Sequence, residues 1–286
     1  MHTLWQDVRY GIRGIRNRPG FAFLGILTLG LGMGATTTIF SAIHNILLDP
    51  FPYTDARRVA AIQIHDLTSG RPGGRGAFQV AEFLDYQEQN HVFEDVIGGT
   101  SEDVLLTTRE GTEQYDGGVV TANMFTFLGV PAVLGRTLTK DDANPDAPRV
   151  FVMADKMWAK KFSRDPSILG QTFVLNGVPT TLVGIMPPRF TKLAADLWQP
   201  VRLDRANKEM SRRYFMFQAR LKPGVTFEQA AADMDVIAHR LAATYPDLYP
   251  KQFALNAVSW VDSIVGQFKT TLYTLAAAVG LLLLIA

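Results

Sequence analysis

Residues 214–230 read YFMFQARLKPGVTFEQA. Tyr214 to Leu221 reads as a strand, and Lys222-Pro223-Gly224 as the turn that ends it. Thr226-Phe227-Glu228-Gln229 then matches a capping box, in which the threonine hydroxyl and the glutamine side chain satisfy each other's backbone donors. The helix it opens runs to about Thr244, and Phe253 to Trp260 reads as a further strand. A β-α-β unit therefore closes the polar part of the chain.

Upstream, Arg58 to Ile64 reads as a strand and Arg71 to Gly76 as a loop. Phe78 to Gln89 reads as a helix with Val80, Phe83, Leu84 and Gln87 near one face. With β-α at 58–89 and β-α-β at 214–261, the expectation is an α+β domain built as a split ferredoxin-like (porter-like) unit. Residues 95–205 are richer in short strands and turns and read as an inserted β-rich subdomain. Within them lie strands at Val104 to Thr108, Tyr115 to Thr121 and Arg149 to Met153. A short helix spans Asn123 to Leu128 and ends at Gly129, and another runs through Trp158 to Phe162. A hairpin is expected about Asn176-Gly177, between Thr172 to Leu175 and Thr180 to Ile185.

Two uncharged runs flank this domain. Phe21 to Leu48 contains no Asp, Glu, Lys or Arg, and neither does Thr270 to Ala286. The first is too long for a signal-peptide core and long enough to cross a bilayer. Residues 1–20 carry four arginines and one aspartate, whereas 49–268 carries 23 basic and 26 acidic residues. That asymmetry places the N-terminus in the cytoplasm and the domain outside, and it does not suit nucleic-acid binding. The expected division is a cytoplasmic interfacial amphipathic helix at 1–20, a first transmembrane helix at 21–48, an extracytoplasmic domain at 49–268 and the start of a second transmembrane helix at 269–286.

In the first segment Leu4, Trp5, Val8, Ile12 and Ile15 recur at helical spacing opposite Arg9, Arg13 and Arg16. With Arg18, the tryptophan and arginines form the expected membrane interface. In the first span Gly30, Gly34 and Thr38 recur every fourth residue with Ser41 beside them. Such a stripe of small residues lets a second helix approach closely in lipid.

Catalytic and cofactor chemistry is not legible. There is no cysteine, hence no disulfide framework or thiolate chemistry. No P-loop pattern occurs, and the five histidines lack zinc-helix spacing. Asp141-Asp142-Ala143-Asn144 reads as a solvated turn or helix cap, not a calcium loop. No enzyme activity, cofactor or metal is expected.

Seven segments in order carry a resemblance: NRPGF at 17–21, VTANMFTFLGV at 120–130, LGRTLTKDD at 134–142, WAKKF at 158–162, ILGQTFVLNG at 168–177, LVGIMPPRF at 182–190 and ARLKPGVTFEQA at 219–230. Together they resemble the MacB/FtsX-type ABC transporter permeases with a MacB-like periplasmic core domain, in the orphan-permease branch. The resemblance implies a cell inner-membrane permease subunit that couples a separate ABC ATPase to mechanical work by the outer domain. Further permease helices or a second permease copy, and a periplasmic adaptor, are implied partners. It also implies three spans after the domain. Because the sequence stops within the second run, a truncated frame or a fragment is expected. The alternative is a periplasmic ligand-binding or sensing domain anchored by two transmembrane helices.

Overall fold

The computed structural model describes residues 53–69, 74–108 and 111–285, with isolated helical positions between 19 and 37. The chain divides into two compact units, one of residues 1–51 with 264–286 and one of residues 52–263.

Among the described residues the larger unit holds eleven strands: β1 (Val59–Asp66), β2 (Ala77–Gln79), β3 (Phe93–Thr108), β4 (Gly111–Val120), β5 (Leu134–Gly135), β6 (Val150–Met153), β7 (Thr172–Leu175), β8 (Val178–Ile185), β9 (Leu197–Pro200), β10 (Tyr214–Leu221) and β11 (Phe253–Ser259). Its helices are α1 (Val80–Gln89), α2 (Met124–Leu128), α3 (Asp155–Phe162), α4 (Lys208–Ser211) and α5 (Phe227–Thr244). At Trp260 begins α6 (Trp260–Ile285), which continues into the other unit.

An open antiparallel sheet runs in the order β11-β1-β10-β3. The helices α1 and α5 cover one face. Met234, Ile237, Ala238 and Leu241 recur at helical spacing on α5 and bury against Phe217, Ala219 and Leu221 of β10 and Ile62 and Ile64 of β1. The capping box at Thr226 forms as expected: its hydroxyl accepts from Gln229 N at 3.2 Å, and Gln229 Oε1 accepts from Thr226 N at 2.9 Å. Phe78 differs from the sequence expectation. It lies in β2, paired with Phe215 of β10, and the helix starts at Val80. Nor is the 71–76 segment wholly loop: Arg75 bridges Ile64 and donates to buried Glu82 at 2.9 and 3.0 Å, while Arg71 to Gly73 lie outside the described residues.

The long β3 leaves this sheet and enters a second one. From Gly99 onward it pairs with β4, and at Leu106 and Thr107 with β7. Following the pairs gives β3-β4-β9-β6-β8-β7 and back to β3, six strands without a free edge among them. Val104, Leu106, Phe151, Met153, Leu175, Leu182 and Leu197 form its core. The hairpin between β7 and β8 turns at Asn176 (φ 49°) and Gly177 (φ 78°), the left-handed pair that Asn-Gly favours. At the passage between the two sheets, a Cβ on Gly98 would lie 2.7 Å from the Phe83 ring of α1. Glycine is what lets the helix close on the strand there.

Of the two expectations for Asp141-Asp142, a solvated turn or a helix cap, the cap is what forms, and Asp142 is buried in it. It accepts two hydrogen bonds from Arg136 at 2.7 and 2.8 Å and caps its own turn through Thr139.

Candidate functional site

On β10 the side chains alternate. Phe215, Phe217, Ala219 and Leu221 face the helices, so Gln218 and Arg220 belong to the opposite face and should meet water. Both are buried instead, at 7% and 6% exposure. Segments from outside the open sheet cover them, and those segments build a junction.

Arg220 donates Nη1 to the Thr54 carbonyl at 2.6 Å and Nη2 to the Phe127 carbonyl, and its guanidinium lies 4.5 Å over the Phe127 ring. Burial draws its ionisation below the ordinary arginine value. Thr54 N donates to the Leu128 carbonyl at 2.9 Å. The chain entering the unit is thereby pinned to α2 and β10 at Thr54.

Gln218 accepts from Lys192 Nζ, whose ammonium also stands 4.3 Å over the ring of Trp260, the first residue of α6. No carboxylate pairs with Lys192 among the described residues, and burial pulls it down to about 7. The Lys192 carbonyl accepts from Trp198 Nε1 at 3.0 Å. The next two residues, Leu193 (φ 60°) and Ala194 (φ 52°), occupy the left-handed region that side chains disfavour.

An aromatic cluster completes the junction. Tyr53 stacks on Trp260 with centroids 5.5 Å apart and planes 22° apart, and meets Phe190 edge-on at 6.0 Å. Phe190 in turn packs on Phe125 at 5.4 Å and on Trp198 at 5.0 Å. Burial raises the Tyr53 phenol to about 12. The first and last parts of the 52–263 unit are thus joined ring to ring, and the same rings contact Phe190 and Lys192, between β8 and β9. This arrangement holds no nucleophile–base pair. Its chemistry is that of a packed, partly polar joint.

Sequence reasoning did not find this joint. Its members come from loops and element ends, and Trp260 reads as the last residue of a strand when it is the first of a helix. The one available signal was a tryptophan ten residues ahead of an apolar run. Of the residues expected in the helix-packing seam, Gly30 and Gly34 are helical. Among the described residues, nothing lies within 4 Å of a Cβ added at either. Thr38, Ser41, Trp5, Arg9, Arg13, Arg16 and Arg18 lie outside the described residues. Among the described residues, no three His, Asp or Glu side chains group to hold a metal, and no helix is long and apolar enough to cross a membrane.

A family model described as the MacB-like periplasmic core domain matches residues 22–237. The chain belongs to that family. Solved structures similar to this MacB-like chain include the periplasmic region of MacB from Actinobacillus actinomycetemcomitans. That structure has 16% identity and a TM-score of 0.54, with 81% of this chain and 98% of that one covered. A permease-protein domain from Porphyromonas gingivalis has 14% identity and a TM-score of 0.54, covering 73% and 92%. The extracellular domain of the noncanonic ABC-type transporter YknZ from Gram-positive bacteria has 13% identity and a TM-score of 0.50, covering 69% and 98%. At these identities the likeness shows the fold, a mixed helix and strand fold resembling the MacB periplasmic domain. No curated protein matches the sequence. The chain carries the MacB-like periplasmic domain of ABC-type, permease-like transporters.

Proposed function

We propose that the chain is the permease subunit of an ABC-type mechanotransmission system in the cell inner membrane. Its N-terminus is cytoplasmic and its main domain periplasmic. In this reading residues 1–20 lie along the membrane interface, 21–48 and 269–286 anchor the protein, and 49–268 is the working domain, with the insertion at about 95–205. The order β11-β1-β10-β3, with α1 and α5 on one face, supports a split ferredoxin-like core.

The observation that carries the reading is the Tyr53–Trp260 stack. Residues 53 and 260 are where the two flanking segments reach the domain. Their rings touch each other and, through Phe190 and Lys192, the insertion. A displacement of the anchoring helices would reach the insertion through packed side chains. A separate ABC ATPase would drive that displacement. Further permease helices or a second permease copy would meet the Gly30–Gly34–Thr38–Ser41 stripe, and a periplasmic adaptor would receive the motion.

Topology tests the reading. The protein is free of cysteine, so Asp7→Cys and Gln114→Cys can each be probed in intact cells with a membrane-impermeant maleimide small enough to cross the outer membrane. Labelling at 114, and at 7 only after the inner membrane is permeabilised, is expected. The reverse pattern contradicts the proposal.

A further inference from the structure

A second cluster lies where the insertion returns to the open sheet, and it plays no part in the joint. A cavity of about 260 Å³ is lined by Arg149, Arg202, Arg213, Glu102, Asn207 and Met210, among others. Arg149 directly precedes β6, Arg202 follows β9 by two residues, and Arg213 directly precedes β10. Three segments distant in sequence therefore bring a guanidinium each to one small hollow.

Their charges are not equally answered. Arg213 donates to Glu102 at 2.5 Å. Arg202 donates Nη1 to the Pro145 carbonyl at 2.6 Å and Nη2 to the Ala147 carbonyl, which fixes its plane. Its Nε is enclosed and has no acceptor. Arg149 makes no side-chain hydrogen bond or ion pair among the described residues. Burial first, and then the charge of Arg149, pulls the Arg202 ionisation below its ordinary value; Asp146 opposes this only as the smallest of the three effects and makes no ion pair with either arginine. Two guanidinium groups thus share a hollow with no carboxylate in contact with either. Buried donors are almost always paired, so the enclosed Nε adds to the part of the Arg202 charge that the protein leaves unanswered. The valines Val119, Val150 and Val201 also line the cavity. An apolar lining strengthens attraction to any anion that enters.

We propose that this cavity is a binding site for a small oxyanion, a phosphate or a carboxylate, with Arg149 and Arg202 as its cationic ligands. The planar guanidinium fork matches the geometry of both anions. The volume is below the usual range for drug-sized ligands and suits a group of few heavy atoms. The anion is either free in solution or borne by an acidic side chain of a partner protein. The site does not depend on the transport reading, since its lining lies wholly within residues 102–213.

Isothermal titration of the full chain in detergent micelles tests it. The probes are inorganic phosphate and, separately, N-acetylglutamate α-amide, each at constant ionic strength. Saturable binding of at least one probe is expected, weakened at least tenfold in Arg149→Gln. Because Arg149 is exposed and unpaired, that variant should keep its thermal midpoint, measured in parallel. Binding of phosphate points to a free anion, and binding of the glutamyl compound alone points to a partner's side chain. Saturation by neither probe, or equal affinity in Arg149→Gln, overturns the proposal.

Discussion

Lys192 is the residue at which the physics of the joint is most exposed to measurement. Its ammonium sits on an indole and an amide oxygen, and no anion in contact offsets its desolvation. The folded-state value near 7 lies below the ordinary lysine value of 10.5. Between those two values the unfolded chain binds more protons than the folded one, so stability rises with pH in that window and the penalty is complete below it. Lys192→Met should abolish the rise. From pH 7.5 to 9.5 the wild type should gain about 1–2 kcal/mol over the variant, read from urea unfolding of the full chain in detergent. Parallel curves for the two proteins would show that the lysine is solvated. The window stops below pH 10 because tyrosines such as Tyr53 begin to contribute with the opposite sign.

At the scale of elements, β3 is what joins the two sheets. Its first half pairs with β10 and its second half with β4 and β7, and Gly98 marks the passage. Gly98→Ala would press a methyl group into the Phe83 ring. A loss of about 1–3 kcal/mol is expected, the usual range for overpacking a filled core, measured by the same urea titration. An unchanged midpoint would mean that α1 can withdraw freely from the strand. The same element shows how far sequence reasoning reached. The elements β10, α5 and the Asn-Gly hairpin were legible because a turn or a cap announced each of them locally. Only the end of β3 was legible. A strand shared by two sheets buries both faces around Ile97–Gly99, so no simple alternation survives there. Gln218 and Arg220 alternate with the core residues of β10 and are nevertheless buried, because what covers them, Lys192 together with Thr54 and Phe127, comes from segments far away in sequence. Lys192 itself follows Arg189-Phe190-Thr191 and gives no local sign of burial.

For the molecule as a whole, the two ends of the 52–263 unit and residues 190–198 are predicted to respond as one joint. Phe190 and Lys192 lie between β8 and β9, Trp198 in β9, Gln218 and Arg220 in β10, and Tyr53 and Trp260 at the ends of the unit. They make a contiguous network of ring contacts and hydrogen bonds. Coupling of this kind predicts that damage at one end is felt across the joint but not in the helix-covered core. Hydrogen exchange read by mass spectrometry on the full chain, wild type against Trp260→Ala, measures this directly. The expected result is faster exchange at Thr54 and across Lys192–Ala195, with α5 and β1 unchanged. Acceleration confined to the residues beside 260, or spread evenly through the domain, would contradict the account.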